Sequence, residues 1–237
     1  MRKLFKNSLC RLIAEFIGTF TVVFSGCGAI MLHNINPEYL SSSSIPIIFG
    51  VAVTIMIYAV GHISGAHFNP AVTLAFTVVK RFPLKELPLY WLTQIVAAIL
   101  AISLLSVILP ETETFGATKT SLLTYQAFIW EVILTFFLMF VIIAVATDSR
   151  AVGIMAGAAI GATVMLDAFI GGPVTGASMN PARSIAPALF EGNFDSLWIY
   201  IFAPCLGAVL AAIVYEKIRC ETHDDFEKVK KKAGGCC

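Results

Sequence analysis

His62-Ile63-Ser64-Gly65-Ala66-His67-Phe68-Asn69-Pro70-Ala71-Val72 and Thr175-Gly176-Ala177-Ser178-Met179-Asn180-Pro181-Ala182-Arg183-Ser184 are two copies of one pattern. In each, a run of small residues leads to Asn-Pro-Ala and an apolar stretch follows. Asn is a preferred helix N-cap and Pro is favoured at the first helical position, so each copy reads as a helix start. One copy would be an ordinary cap. Two copies in matched contexts point to a chain built from two related halves around a shared polar path.

Working outward, the 237-residue chain is 58% hydrophobic and 13% charged. A soluble domain carries about 25% charged residues, so the composition is that of an integral membrane protein. Apolar stretches occupy residues 12–31, 44–63, 87–109, 127–146, 152–170 and 197–215. Each approaches the roughly 20 residues that cross a bilayer as a helix. The length of the first stretch, and Glu15 within it, favour a retained span over a cleaved signal.

Lys and Arg fall on alternate connections. Arg2, Lys3, Lys6 and Arg11 precede span one, and Lys80, Arg81 and Lys85 follow span two. Arg150 follows span four, and Lys217, Arg219 and a basic cluster at 228–232 follow span six. The opposite connections carry Lys119 and Arg183. The positive-inside rule puts both termini in the cytoplasm. The basic tail reads as an anchor near anionic lipid, and no nucleic-acid partner is expected.

Span one contains Glu15 and Thr19, and span four contains Glu131 and Thr135. This is the same pair on one helical face. The repeats are therefore 8–110 and 124–218 within a single domain, 1–218, followed by a cytoplasmic tail, 219–237. Three spans per repeat make the second copy enter from the opposite side. Such inverted repeats place their site near the bilayer midplane. The expected fold is all-α, with six transmembrane helices and two re-entrant half-helices at 72–79 and 183–190.

The glycine-rich approaches at 61–65 and 171–176 are expected to descend as extended chain. Each Asn should cap its half-helix through the side-chain oxygen and keep its NH2 group free for the path. Two helix N-termini would then meet, each carrying about half a positive charge.

The six cysteines have no zinc spacing, and most lie on the reducing side, so disulfides are not expected. Cys236-Cys237 resembles a lipidation site, with an unmodified tail the better reading. No nucleophile–base pair or phosphate loop suggests an enzyme, and no metal or cofactor is indicated.

These motifs resemble the aquaporin, or major intrinsic protein, family over nearly all of 8–218. The segment 171–180 is most similar to the plant nodulin-type subgroup. The resemblance implies a homotetramer in the cell membrane, with a pore in each protomer conducting water and small neutral solutes such as glycerol. The pore motifs would be Asn69, Pro70, Ala71, Asn180, Pro181 and Ala182. The carbonyls of Gly65, Ala66, His67, Gly176, Ala177 and Ser178 would form an acceptor ladder. Half-helix dipoles and an Arg are the devices by which aquaporin-type pores exclude protons and cations.

The family's selectivity filter maps onto Phe49, Ala168, Ala177 and Arg183. Water-only members usually have His where this chain has Ala168, so the ring should be wider and admit glycerol. Ser184, Ala188 and Tyr200 are instead water-type markers. Arg183, at membrane depth, is a functional-site residue by default. Glu15 and Glu131 are expected to support the re-entrant loops, and His62 and His67 to be structural. Asp167 is the unexplained carboxylate, with a local partner, a vestibule or selectivity tuning all open. Gly153, Gly157 and Gly161 predict a close helix-packing face. A secondary transporter and a structural protein with a closed pore are the rival readings.

Overall fold

The computed structural model describes residues 2–147 and 153–219, and side chains from residue 8 onward. Arg150, Val152, Cys220, Cys236, Cys237 and the basic cluster at 228–232 lie outside the described residues, as do the side chains of Arg2, Lys3 and Lys6.

Eight α-helices are found among the described residues. They are α1 (Arg2–Ile35), α2 (Ser44–Ser64), α3 (Pro70–Val78), α4 (Leu87–Ile108), α5 (Thr124–Thr147), α6 (Ala156–Thr175), α7 (Pro181–Glu191) and α8 (Leu197–Ile218). The protein is all-α, and six of these helices are long and apolar enough to cross a membrane. It is therefore an integral, multi-pass membrane protein. The two short helices, α3 and α7, follow the two Asn-Pro motifs.

The first three long helices and α3 form one group, and α5, α6, α8 and α7 form the other. The groups interlock: α3 packs chiefly on α8, and α7 chiefly on α4. Each half-helix thus belongs to one repeat by sequence and to the other by packing. In lipid, helix association depends on close van der Waals contact rather than on apolar burial from water. The contact between α2 and α6 illustrates this. A Cβ placed on Gly50 would lie 2.4 Å from the carbonyl oxygen of Gly161, and one on Gly161 would lie 2.5 Å from that of Gly50. Gly157 continues the face against Tyr58 and the carbonyl of Thr54. Gly153 does not: a Cβ there meets nothing within 4 Å, so the expected three-glycine face has two members.

One further expectation changes. The approaches to the Asn-Pro motifs are not extended from residues 61 and 171. Helix continues to Ser64 and Thr175, and both helices end on a left-handed glycine, Gly65 (φ 91°) and Gly176 (φ 81°). Glycine tolerates that conformation at no steric cost, which is why it closes helices. The amide of Gly65 bonds the carbonyl of Gly61, and that of Gly176 bonds the carbonyl of Gly172. The non-helical descents are thus only five residues long.

At one end of the bundle Arg11 forms a two-pronged pair with Glu86, and Glu216 joins Arg81 to Arg219. At the other end Lys119 pairs with Glu191 (2.7 Å).

Candidate functional site

Each short descent carries the same unusual backbone. Ala66 and Phe68 have φ of 50°, and Ala177 and Met179 have φ of 42° and 53°. Non-glycine residues in this region are uncommon and costly, and they persist where the surroundings over-determine them. Here two buried carboxylates supply that constraint. Glu15 accepts from the amides of His67 (2.9 Å) and Phe68 (2.8 Å) and from Gln94 Nε2 (2.9 Å). Glu131 accepts from the amides of Ser178 and Met179 (both 3.0 Å) and from Thr175 Oγ1 (2.7 Å). Both glutamates are fully buried. Each carboxylate thus takes up two backbone amides of one loop.

Two tyrosines complete the frame. Tyr90 donates to the carbonyl of Ser64 (2.9 Å), and Tyr200 donates to that of Thr175 (2.8 Å). Each ties the third long helix of its repeat to the last residue of the second. The sequence gives no local sign of this role, because each sits beside other aromatics in an apolar helix, Trp91 next to Tyr90 and Trp198 and Phe202 flanking Tyr200.

Asn69 Oδ1 accepts from the amide of Ala71 (2.9 Å), and Asn180 Oδ1 accepts from that of Ala182 (3.0 Å). Both are therefore N-caps, with Pro70 and Pro181 opening the helices. Their NH2 groups are not wholly free, however. Asn69 Nδ2 donates to the carbonyl of Met179 (2.7 Å), and Asn180 Nδ2 donates to that of Phe68 (2.9 Å). An amide nitrogen has two hydrogens, so one per Asn is spent across the repeat boundary and one is left. The two half-helices meet end to end.

A cavity of about 530 Å³ runs beside this meeting point. Asn69 and Asn180 line it, as do Gly65, Ala66, His67, Ala177 and Ser178. Gly176 does not; it turns the chain against Thr118. Pro70, Ala71, Pro181 and Ala182 are buried and do not line it. Val53, Val72, Leu138, Ile160 and Val164 supply an apolar wall.

Phe49, Ala168, Ala177 and Arg183 also line the cavity, so four residues from separate elements come together. Arg183 is 3% exposed, and its guanidinium carbon lies 5.3 Å from the centre of the Phe49 ring. Arg183 Nη1 donates to the carbonyl of Gly116 (2.7 Å), while its Nε has no partner. Gly116 belongs to the connection between the repeats, a segment that sequence reading left without a role.

His67 stacks on Phe76, meets Phe82 edge-on and Tyr90 at a tilt, and its Nδ1 is 3.1 Å from Thr73 Oγ1. His62 lines the cavity farther along. Ser184 Oγ bonds Ser178 and Thr118. Asp167 is fully buried, yet neither carboxylate oxygen has a hydrogen-bond partner. It does not line the cavity.

The sequence model of the major intrinsic protein family matches residues 4–215. Nodulin-26 of Glycine max is 47% identical over 212 residues, covering 89% of this chain and 78% of that protein. Aquaporin NIP1-1 of Zea mays is 48% identical over 210 residues, covering 88% and 74% respectively. The X-ray structure of the aquaglyceroporin from Plasmodium falciparum superposes with a TM-score of 0.82 at 26% identity, covering 89% of this chain and 96% of that one. With the interlocked half-helices and the paired Asn-Pro-Ala motifs, these matches establish that the chain belongs to the major intrinsic protein family.

Proposed function

We propose that the protein is a passive membrane channel for water and small uncharged solutes such as glycerol, excluding protons and ions. The observation that carries this reading is the reciprocal bonding of Asn69 and Asn180 beside a continuous cavity. The remaining N–H of each Asn offers a donor to one passing water. That water turns its oxygen toward both and its hydrogens along the pore in opposite directions. A proton-hopping chain is interrupted at that point, and the two helix N-termini add a field that repels cations.

Phe49, Ala168, Ala177 and Arg183 act as the selectivity filter. Two methyl side chains leave room for a solute larger than water, and the Arg183 charge opposes cations. The carbonyls of Gly65, Ala66, His67, Ala177 and Ser178 serve as acceptors along one wall. The apolar wall opposite leaves water weakly held. The chain works as one domain, 1–218, with both termini cytoplasmic, as a homotetramer in the cell membrane. It is a channel rather than an enzyme.

The test is stopped-flow light scattering on vesicles containing the purified protein, with water and glycerol measured side by side. Expected are water and glycerol fluxes well above empty vesicles, indifferent to proton and sodium gradients. Folded protein with no excess flux would support a structural role. Gradient-dependent uptake would support a transporter.

A further inference from the structure

We infer that Glu191 is a positioning residue for the filter, acting on Arg183 through a single peptide group. This rests on the assignment of Arg183 to the filter. Glu191 is the last residue of α7 and Arg183 the third, about 12 Å apart along the helix at 1.5 Å per residue. They are joined by a second route. Glu191 Oε1 accepts from the amides of Phe115 (2.8 Å) and Ala117 (3.0 Å), and Oε2 pairs with Lys119 (2.7 Å). Arg183 Nη1 donates to the carbonyl of Gly116 (2.7 Å).

The Ala117 N–H and the Gly116 C=O belong to one peptide group. That group is planar and trans, so its N–H and C=O point in opposite directions. Holding the N–H on Glu191 therefore aims the C=O at Arg183. Bonding at the donor end also polarises the group and makes the carbonyl a stronger acceptor. The Phe115 amide, gripped by the same oxygen, stops the segment from swivelling about Gly116.

The Glu191 side chain is 7% exposed, so solvent competes little for these bonds. Burial works to raise its pKa. The Lys119 ammonium and the two amides outweigh that and hold the carboxyl below the usual carboxylate range. The carboxylate, and with it the anchor, is present throughout the neutral range. Without it, the guanidinium has one fewer fixed acceptor, its Nε being already unpaired.

The test compares glycerol-to-water permeability ratios in proteoliposomes for the full chain and its variants. Glu191→Ala should shift the ratio in the same direction as Arg183→Ala, by about threefold, the order of one neutral hydrogen bond. Glu191→Gln keeps an oxygen acceptor for both amides and should restore a near-wild-type ratio. Lys119→Ala, which spares the amide bonds, should do the same. In an Arg183→Ala background, Glu191→Ala should add nothing. Should Glu191→Ala not fold, Glu191→Asp is too short to reach both amides and gives the same readout. An unchanged ratio in folded Glu191→Ala or Glu191→Asp overturns the proposal, as does an equal shift in the Arg183→Ala background. If Arg183→Ala itself leaves the ratio unchanged, the filter assignment is what has failed.

Discussion

Asn69 and Asn180 each hold the other's loop. The side-chain amide of Asn69 donates to Met179, next to Asn180, and that of Asn180 donates to Phe68, next to Asn69. The relationship is two-fold symmetric in chemistry and nearly so in distance, at 2.7 and 2.9 Å. It explains why the motif must occur twice. Each Asn is at once a cap for its own half-helix and a clamp on the other.

Asn180→Asp separates those two duties. The carboxylate can still cap Ala182, but it has no N–H for the carbonyl of Phe68, and it brings a negative charge to the cavity wall. Leaving a buried acceptor unpaired costs about 1–3 kcal/mol, so the thermal midpoint should fall. The charge should also offset the cation-repelling field of the half-helix termini. Sodium uptake by proteoliposomes is expected to rise above wild type. Uptake at the wild-type level, in a folded variant, would argue that the field at this point does not set ion exclusion.

Ala168→His tests the width of the ring. Ala168 is 9% exposed and lines the same cavity as Phe49 and Arg183. An imidazole there would fill space that two methyl groups leave open and add a polar group opposite the guanidinium. Glycerol permeability should drop by about tenfold or more relative to water, since steric exclusion of about 1.4 kcal/mol already gives that factor. Parallel stopped-flow traces with the two solutes provide the check. An unaltered ratio would move the constriction away from Ala168.

Much of this architecture was legible in the chain. Asn-Pro-Ala and its neighbours predicted both half-helices, because capping is local chemistry. Glu15 with Thr19, and Glu131 with Thr135, marked the repeat boundary because an intramembrane carboxylate needs a reason to be there. What was not legible is long-range. Gly116 and Glu191 are 75 positions apart and neither has a local signature. Tyr90 and Tyr200 look like ordinary apolar-helix aromatics until their hydroxyls are seen on Ser64 and Thr175. The helical state of residues 61–64 and 171–175 is not legible in the chain because glycine and proline disfavour helix in water. In a bundle that must satisfy its own backbone, the helix runs on to the first glycine that can turn left-handed.

The contact of Gly50 with Gly161 makes a contrasting pair of substitutions informative. In Gly161→Ala the new methyl would sit 1.8 Å from Thr54 Oγ1 and 2.5 Å from the Gly50 carbonyl oxygen. The Thr54 side chain can move, but the backbone of α2 cannot without separating the helices. Destabilisation of about 1–3 kcal/mol is expected for such overpacking. Gly153→Ala meets open space and should leave the midpoint within error of wild type. Thermal unfolding in detergent, followed by circular dichroism, compares the two. Equal midpoints would mean that the α2–α6 contact has slack the static structure does not display.

Asp167 offers a test in the opposite direction, a substitution expected to stabilise. Its carboxyl group is fully buried with no hydrogen-bond partner for either oxygen, and Glu131, the charged group that acts on it, carries the same sign. An ion taken out of water and left unpaired costs several kcal/mol even after relaxation. Asn has nearly the same shape without the charge, so Asp167→Asn removes most of that cost. The remaining penalty is that of a neutral amide seeking partners, about 1–3 kcal/mol. The thermal midpoint should therefore rise by a few degrees, at about 2–4 °C per kcal/mol for a chain of this size. Water flux should be unchanged, because Asp167 lies outside the cavity lining. A lower midpoint in Asp167→Asn would reveal that the carboxylate has a partner, such as an internal water or a bound cation. Loss of ion-coupled uptake in the same variant would revive the transporter reading, because a coupled carrier needs an intramembrane carboxylate of this kind.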